Sequence, residues 1–325
     1  MYGEIALFSG NGNPRLAQEI SQALAVPLCP ADVFKFPNQN IFCRLKSSVR
    51  GKDVFIIQPI ARSFNDKGEM VSVNDNLMEL LIMIDTVKRD SAGRITAIVP
   101  YYGYGRTDKK DQPRVPITAR LVADLISVAG ANRFLTLDLH AGQIQGFFSI
   151  PVDEITAFHL LNDYMRNKHV PNGVVVAGDI GATKRSRNFA QALNLPLAVI
   201  EKRRVQREDG SSAEVLNVIG EVKGKNCIIF DDEIDTAGTM VQAMTYLKEV
   251  GVGDIYACVT HGVLSDPATA RLQSAPVKEV VITNTIDVPP HKHFDKLTCL
   301  TVAPLLAEVI RRIHLGISVG ELFNE

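Results

Sequence analysis

The chain alternates short, continuous apolar runs with longer stretches in which apolar positions recur every three or four residues. Runs rich in Val, Ile and Leu occur at Ile5–Ser9, Val54–Gln58, Ile95–Pro100 and Phe134–Asp138 in the first half. In the second half they occur at Val174–Ala177, Ala198–Glu201, Cys227–Phe230, Ile255–Val259 and Glu279–Thr283. Runs of strand length that are apolar without alternation predict strands buried on both faces of a parallel sheet. Helical spacing marks Pro14–Leu24, Val73–Lys88, Ala119–Ala129, Thr183–Leu193, Thr239–Val250 and Pro267–Gln273. Strands and helices in alternation predict an α/β fold, with mainly parallel sheets flanked by helices.

The pattern also repeats itself. Gly130-Ala131-Asn132-Arg133-Phe134 leads through a strand to His140-Ala141, and Gly251-Val252-Gly253-Asp254-Ile255 leads at the same spacing to His261-Gly262. Two similar α/β domains in tandem account for 325 residues better than one long sheet. The seam is expected near Ile150–Thr156, giving domains at 1–155 and 156–325, with a further helix beginning around Ala157. The C-terminal helix Ala303–His314 is a candidate to cross back onto the first domain. Glu201–Glu214 is the most polar stretch, and with its turn signal at Asp209-Gly210 it reads as a hairpin or lid.

Composition adds mainly exclusions. A formal net charge of −1 gives no global argument for nucleic acid or an anionic membrane surface as partner. The five cysteines lack a CxxC pair, so they read as reduced thiols in a cytoplasmic protein. The Met1-Tyr2-Gly3-Glu4 start lacks the basic region of a signal peptide. No apolar run approaches the roughly 18 residues of a membrane span.

Candidate chemistry concentrates at Cys227–Thr239. An apolar strand ends in Asp231 and Asp232, followed by the small-residue turn Thr236-Ala237-Gly238-Thr239 and a helical pattern. Such a turn can aim backbone N–H groups, hydroxyls and a helix N-terminus at one phosphate. Paired carboxylates at the strand tip can hold vicinal hydroxyls, so the two ends together describe a ribose 5-phosphate site. A lone Thr-Gly-Thr would be an ordinary helix cap. The doubled Asp shifts the balance to ligand binding.

This loop resembles the phosphoribosyl-binding loop of phosphoribosyltransferases and ribose-phosphate pyrophosphokinases. Asn74–Leu81 (NDNLMELL), Tyr104–Asp111 (YGRTDKKD) and Asp138–Phe148 (DLHAGQIQGFF) extend the resemblance over almost the whole chain, in family order. The chain thus looks like a ribose-phosphate pyrophosphokinase, and DLHAGQIQGFF is its most specific piece. The resemblance implies two phosphoribosyltransferase-like domains with the active site between them, and a homo-oligomer, usually a hexamer. It implies transfer of the β,γ-diphosphoryl group of ATP to the 1-hydroxyl of ribose 5-phosphate, with Mg²⁺ as cofactor. Asp231, Asp232, Asp235, Thr236, Ala237, Gly238 and Thr239 would hold ribose 5-phosphate, with Gly238 allowing close approach. Phe36, Asn38, Arg106 and Thr107 would bind ATP, Phe36 by stacking on adenine. His140 and Asp179 match the metal positions, and Lys202 and Arg204 the catalytic Lys-x-Arg pair.

The departures fall mainly on the nucleotide side. Asn40 stands where many members have Glu, Thr107 where Gln is usual, and Pro37 and Gly142 where Ser is frequent. Pro59–Val73 is longer than usual and reads as a hairpin turning at Asp66-Lys67-Gly68. Ser48, Arg50, Gln145 and Ser318 match parts of a regulatory site, whereas Gly142 and Gly320 lack its hydroxyls. Three alternatives stand beside the main reading, one of them a related enzyme that uses another nucleotide or sugar phosphate, raised by Asn40 and Thr107. A phosphoribosyltransferase shares the sugar loop but needs one domain only. A non-catalytic regulatory homologue often has a disrupted catalytic loop, whereas here Lys202 and Arg204 are present.

Overall fold

The apolar runs become strands because their side chains find packing partners on both faces. In the computed structural model, residues 3–65, 67–206 and 212–323 are described, with the side chains at 202–206, 212–215, 321 and 323 outside the description. The main strands form two separate sheets, each with its own buried core.

The first sheet follows chain order. β1 (Ile5–Ser9) leads through α1 (Pro14–Leu24) and an antiparallel hairpin, β2 (Ala31–Lys35) with β3 (Ile41–Leu45), to the fully buried β4 (Asp53–Ile57). A short hairpin of β5 (Ser63–Phe64) and β6 (Met70–Val71) precedes α2 (Val73–Arg89). Then come β7 (Arg94–Val99), α3 (Thr118–Ala129), β8 (Arg133–Leu137) and β9 (Val152–Ile155). The order is β1-β4-β7-β8-β9, with every pair parallel. The helix starts follow local chemistry. Asn13 accepts from the Leu16 N–H ahead of Pro14, and Ser72 and Asp75 close a reciprocal capping box on α2.

The second sheet does not follow chain order. α4 (Phe158–Lys168), β10 (Gly173–Ala177) and α5 (Thr183–Leu193) lead to an antiparallel pair, β11 (Leu197–Gln206) with β12 (Ser212–Ile219). β13 (Asn226–Ile234), α6 (Gly238–Glu249), β14 (Ile255–Gly262), α7 (Ala268–Ser274), β15 (Glu279–Thr283) and β16 (Leu297–Leu300) follow. The order is β12-β11-β10-β13-β14-β15-β16, and only the β11–β12 pair is antiparallel. The chain therefore starts in the middle, at β10, grows outward through β11 and β12, and resumes on the other side with β13. The gap between β10 and β13 is a topological switch point, where open α/β sheets bind ligands at the carboxyl ends of their strands.

The compact units are Met1–Thr156 with Thr285–Asp287 and Thr301–Glu325, and Ala157–Asn284 with Val288–Leu300. The expected second domain of 156–325 is thus corrected at its C-terminal end. α8 (Ala303–Leu315) belongs to the first unit, as the reading of Ala303–His314 proposed. It is held there by burial of Leu306, Val309, Ile310 and Ile313. Charge adds to this: fully buried Asp53 pairs with Arg94 at 2.6 Å and with His314 Nδ1 at 2.9 Å. Arg94 also donates to the Ile313 carbonyl at 2.9 Å. Among the described residues, no helix is long and apolar enough to cross a membrane.

Candidate active site

β10 and β13 pair from Gly173↔Asn226 to Ala177↔Phe230. β13 continues to Ile234, so Asp231 and Asp232 lie past the end of β10, within a strand longer than the expected Cys227–Phe230. Helix α5 is fixed against this strand end. Phe189 stacks on Phe230 with ring centroids 4.0 Å apart, and Ser186 Oγ donates to the Phe230 carbonyl at 3.2 Å. That docking brings Arg185 Nη1 to 3.0 Å from Asp232 Oδ1. Asp232 is only 6 % exposed, so the guanidinium offsets the cost of burying its charge. Asp231 is half-buried and faces Gly178, where a Cβ would come within 3.8 Å of its Oδ2. Burial first, and then the neighbouring Asp232, push the Asp231 carboxyl up to about 7. The two carboxyls therefore stand side by side at the mouth of the crevice in different electrostatic settings.

The turn that follows is a built cradle. Ala237, buried and capping α6, holds a left-handed φ of 60°. An αL residue entering a helix turns successive N–H groups toward one point, and the first N–H groups of the helix lack partners within it. Thr236 and Thr239 are exposed at its rim, and Asp235 and Gly238 are half-buried. The sequence reading gave Gly238 the role of allowing close approach, a matter of space rather than of φ. The positive φ of the turn is at Ala237, and a Cβ at Gly238 would lie 3.3 Å from Arg271 Nη1. Asp179 lies in the other turn of the crevice, after β10. It is exposed, and its Oδ1 accepts the Ala182 N–H at 2.9 Å. That bond lies within the turn ahead of α5, whose own N-cap, Ala182, has no side-chain cap. A Cβ at Gly181 would lie 3.2 Å from that oxygen, so the tight turn fits the carboxylate.

In the first unit, Phe36 lies just past β2, in the β2–β3 turn. It makes an edge contact with Phe34 (centroids 5.2 Å) and a tilted one with Phe42 (5.6 Å), yet remains 42 % exposed. An exposed aromatic buttressed by two others is a ready stacking platform. The turn is closed by Asn38 Oδ1, which accepts the Asn40 N–H at 3.1 Å, and by Gln39 at a φ of 70°. Beyond β7 the chain bends at Tyr104, with a φ of 66°, and Thr107 clamps the bend: its hydroxyl donates to the Tyr104 carbonyl at 2.7 Å. Arg106 is exposed on that bend. The YGRTDKKD and DLHAGQIQGFF motifs meet here. Gln143 Nε2 donates to buried Asp108 at 2.7 Å, and a Cβ at Gly105 would lie 3.8 Å from the Cβ of exposed His140. Arg106, Thr107 and His140 are therefore neighbours, while Phe36 and Asn38 sit on a separate hairpin.

Lys202 and Arg204 lie on β11, paired with Leu216 and Glu214 across the hairpin, and their side chains lie outside the described residues. Among the described residues, no group of three or more His, Cys, Asp or Glu is arranged to hold a metal ion.

Comparison with known proteins bears on both units. A family model described as the N-terminal domain of ribose phosphate pyrophosphokinase matches residues 5–130. A second, described as a phosphoribosyl synthetase-associated domain, matches residues 211–324. The ribose-phosphate pyrophosphokinase of Caldanaerobacter subterraneus subsp. tengcongensis is 52% identical over 321 residues, covering 98% of each chain. The chain belongs to the ribose-phosphate pyrophosphokinase family. The enzyme of that name from Bacillus caldolyticus is 46% identical over 99% of this chain and 98% of its own. Among solved structures, the phosphoribosylpyrophosphate synthetase of Mycobacterium smegmatis aligns with a TM-score of 0.88 at 43% identity, covering 97% of this chain and 100% of that one.

Within this ribose-phosphate pyrophosphokinase fold, two residues at the cradle escaped the sequence reading. Arg185 lies in a basic helix start, where Lys184-Arg185 looks like any solvated pair. Arg271 of α7 donates to the Thr236 carbonyl at 3.0 Å, from a position 35 residues along the chain. No local pattern marks either; only the docking of α5 and α7 onto the sheet does. The aromatic cluster was legible in part, because Phe34, Phe36 and Phe42 alternate along a hairpin that the pattern had not yielded.

Proposed function

We infer that the protein transfers the β,γ-diphosphoryl group of ATP to the 1-hydroxyl of ribose 5-phosphate, giving phosphoribosyl pyrophosphate and AMP. The observation that carries this reading is the acidic pair and N–H cradle at the switch point, in a chain that aligns end to end with named pyrophosphokinases. The Thr236–Thr239 cradle takes the 5-phosphate, since an anion gains most where unpartnered N–H groups and the helix dipole converge. Asp231 and Asp232 accept the vicinal ribose hydroxyls, with Asp235 beside them.

On the nucleotide side, Phe36 stacks on adenine, and Asn38 and Thr107 shape the turns that present Phe36 and Arg106. Arg106 supplies positive charge to the phosphates. Attack occurs at the β-phosphorus, so positive charge aimed at the transferred group raises turnover more than binding. That role falls to Lys202 and Arg204. Asp179 offers an exposed carboxylate, a hard donor of the kind Mg²⁺ takes, and His140 an exposed imidazole suited to contact through water. These donors fit a magnesium–nucleotide complex, in which most ligands are phosphate oxygens and water. Mg²⁺ would neutralise triphosphate charge. The free cysteines accord with work in the cytoplasm, and kinship with the family supports a homo-oligomer, a hexamer by resemblance.

³¹P NMR of the purified protein with ATP, Mg²⁺ and ribose 5-phosphate tests the reading. AMP appearing in step with a sugar-linked diphosphate is expected. ADP in place of AMP would mean attack at the γ-phosphorus and would overturn it.

A further inference from the structure

The Thr236 carbonyl has its partner outside the loop, in Arg271 Nη1 at 3.0 Å. The peptide unit that carries this oxygen also carries the Ala237 N–H. Because a peptide is planar and trans, its C=O and N–H point in opposite directions. Holding the oxygen toward α7 therefore aims the Ala237 N–H away from α7. The same unit leads into the left-handed Ala237, a conformation disfavoured for a residue with a Cβ unless its surroundings hold it.

A second observation agrees. Arg271 Nη1 lies where a Cβ on Gly238 would approach to 3.3 Å, so the absence of a side chain at 238 leaves room for the guanidinium. The segment leading into α7 is itself braced. Buried Lys292 donates to the Leu264 carbonyl, and the Leu264 N–H donates to the Ile234 carbonyl at 3.0 Å, just ahead of the cradle. The turn is thus tied at one end to α7 and at the other to the segment that leads into α7.

We propose that Arg271 is a positioning residue that holds the Thr236–Ala237 peptide in its anion-accepting orientation and so sets the affinity for the 5-phosphate of the sugar. This rests on the ribose 5-phosphate reading of the cradle. A guanidinium-to-carbonyl bond is charge-assisted, and its loss frees the peptide to turn its oxygen toward the anion.

The test is steady-state kinetics on Arg271→Ala and Arg271→Lys beside the wild-type protein, with thermal unfolding of each. Arg271→Ala is expected to raise the KM for ribose 5-phosphate about tenfold or more. The KM for ATP and kcat should stay within about twofold, since the bond acts on sugar binding rather than on the transition state. Arg271→Lys, which can still donate one hydrogen bond to the carbonyl, should recover most of the loss. An unchanged KM for ribose 5-phosphate in folded Arg271→Ala would overturn the proposal, as would equal rises for both substrates or equal defects in the two variants. Should Arg271→Ala fail to fold, the Lys variant decides alone: a KM for ribose 5-phosphate raised as much as that for ATP refutes the positioning role. A wild-type protein that makes no AMP from ATP and ribose 5-phosphate would instead refute the reading of the cradle.

Discussion

Asp231 and Asp232 are adjacent in sequence yet differ in their surroundings. Both are desolvated, but Asp232 has the direct contact with Arg185, whereas burial and the neighbouring Asp232 hold the Asp231 carboxyl up to about 7. We expect 1/KM for ribose 5-phosphate to change slope near pH 7 and that break to vanish in Asp231→Asn, as measured by initial rates across pH 5.5–8.5, a range of about three units chosen to bracket it. The stability effect has a definite sign. Between the ordinary carboxyl value and about 7 the folded protein binds the extra proton, so this group costs stability as pH rises through that window. Asp231→Asn should therefore melt higher than wild type at pH 8, with the gap closing toward pH 4. Asp232→Asn removes the partner of a docked arginine, and we expect it to weaken use of ribose 5-phosphate about tenfold or more. The acidic pair was legible because two carboxylates after an apolar run have few structural uses. Its division of labour was not, because Arg185 arrives from another element.

At the scale of elements, strands and helices with strong periodicity emerged close to their expected bounds: Pro14–Leu24, Thr183–Leu193 and Glu279–Thr283 coincide with α1, α5 and β15. The pattern missed β2 and β3, whose side chains are mostly half-exposed and give no buried run. That hairpin carries the aromatic platform proposed for adenine, and β9 and β16 were likewise not predicted. Base–aromatic stacking contributes about 1–3 kcal/mol. Phe36→Ala should therefore raise the KM for ATP roughly 5- to 100-fold while leaving that for ribose 5-phosphate near its wild-type value, as read from initial-rate kinetics. Lys202→Ala belongs to the β11–β12 hairpin and should mainly lower kcat with both KM values largely kept. Near-normal turnover of that variant would remove the catalytic role from this hairpin.

For the whole molecule, the two-domain plan was legible from the repeated helix–turn–strand pattern, which became α3–β8 and α6–β14. The repeat is imperfect at its end, since His140 is exposed beyond β8 whereas His261 is buried within β14. What the pattern cannot carry is the exchange of the final helix, because an amphipathic stripe does not name the surface that it covers. Buried Asp53 makes that exchange costly to undo. Asp53→Ala strands Arg94 and His314, and removing one member of a buried pair costs about 3–5 kcal/mol. We expect a lower urea midpoint, with kcat near wild type in dilute urea-free buffer, since Asp53 opens β4 at the end of the strand away from Gln58 and the candidate site.

The membership of α8 also sets an order of assembly during synthesis. Translation delivers the five strands of the first sheet early, but the helix that covers its α1 side is made last, after all seven strands of the second sheet. While the ribosome is at work, the nascent first unit keeps an apolar face open and Asp53 without its histidine. The first unit is therefore complete only after the chain of the second has been made, so its folding cannot finish in simple N-to-C order. A stop codon at Thr301 would then leave all seven strands of the second sheet encoded and strip the first unit of its covering helix.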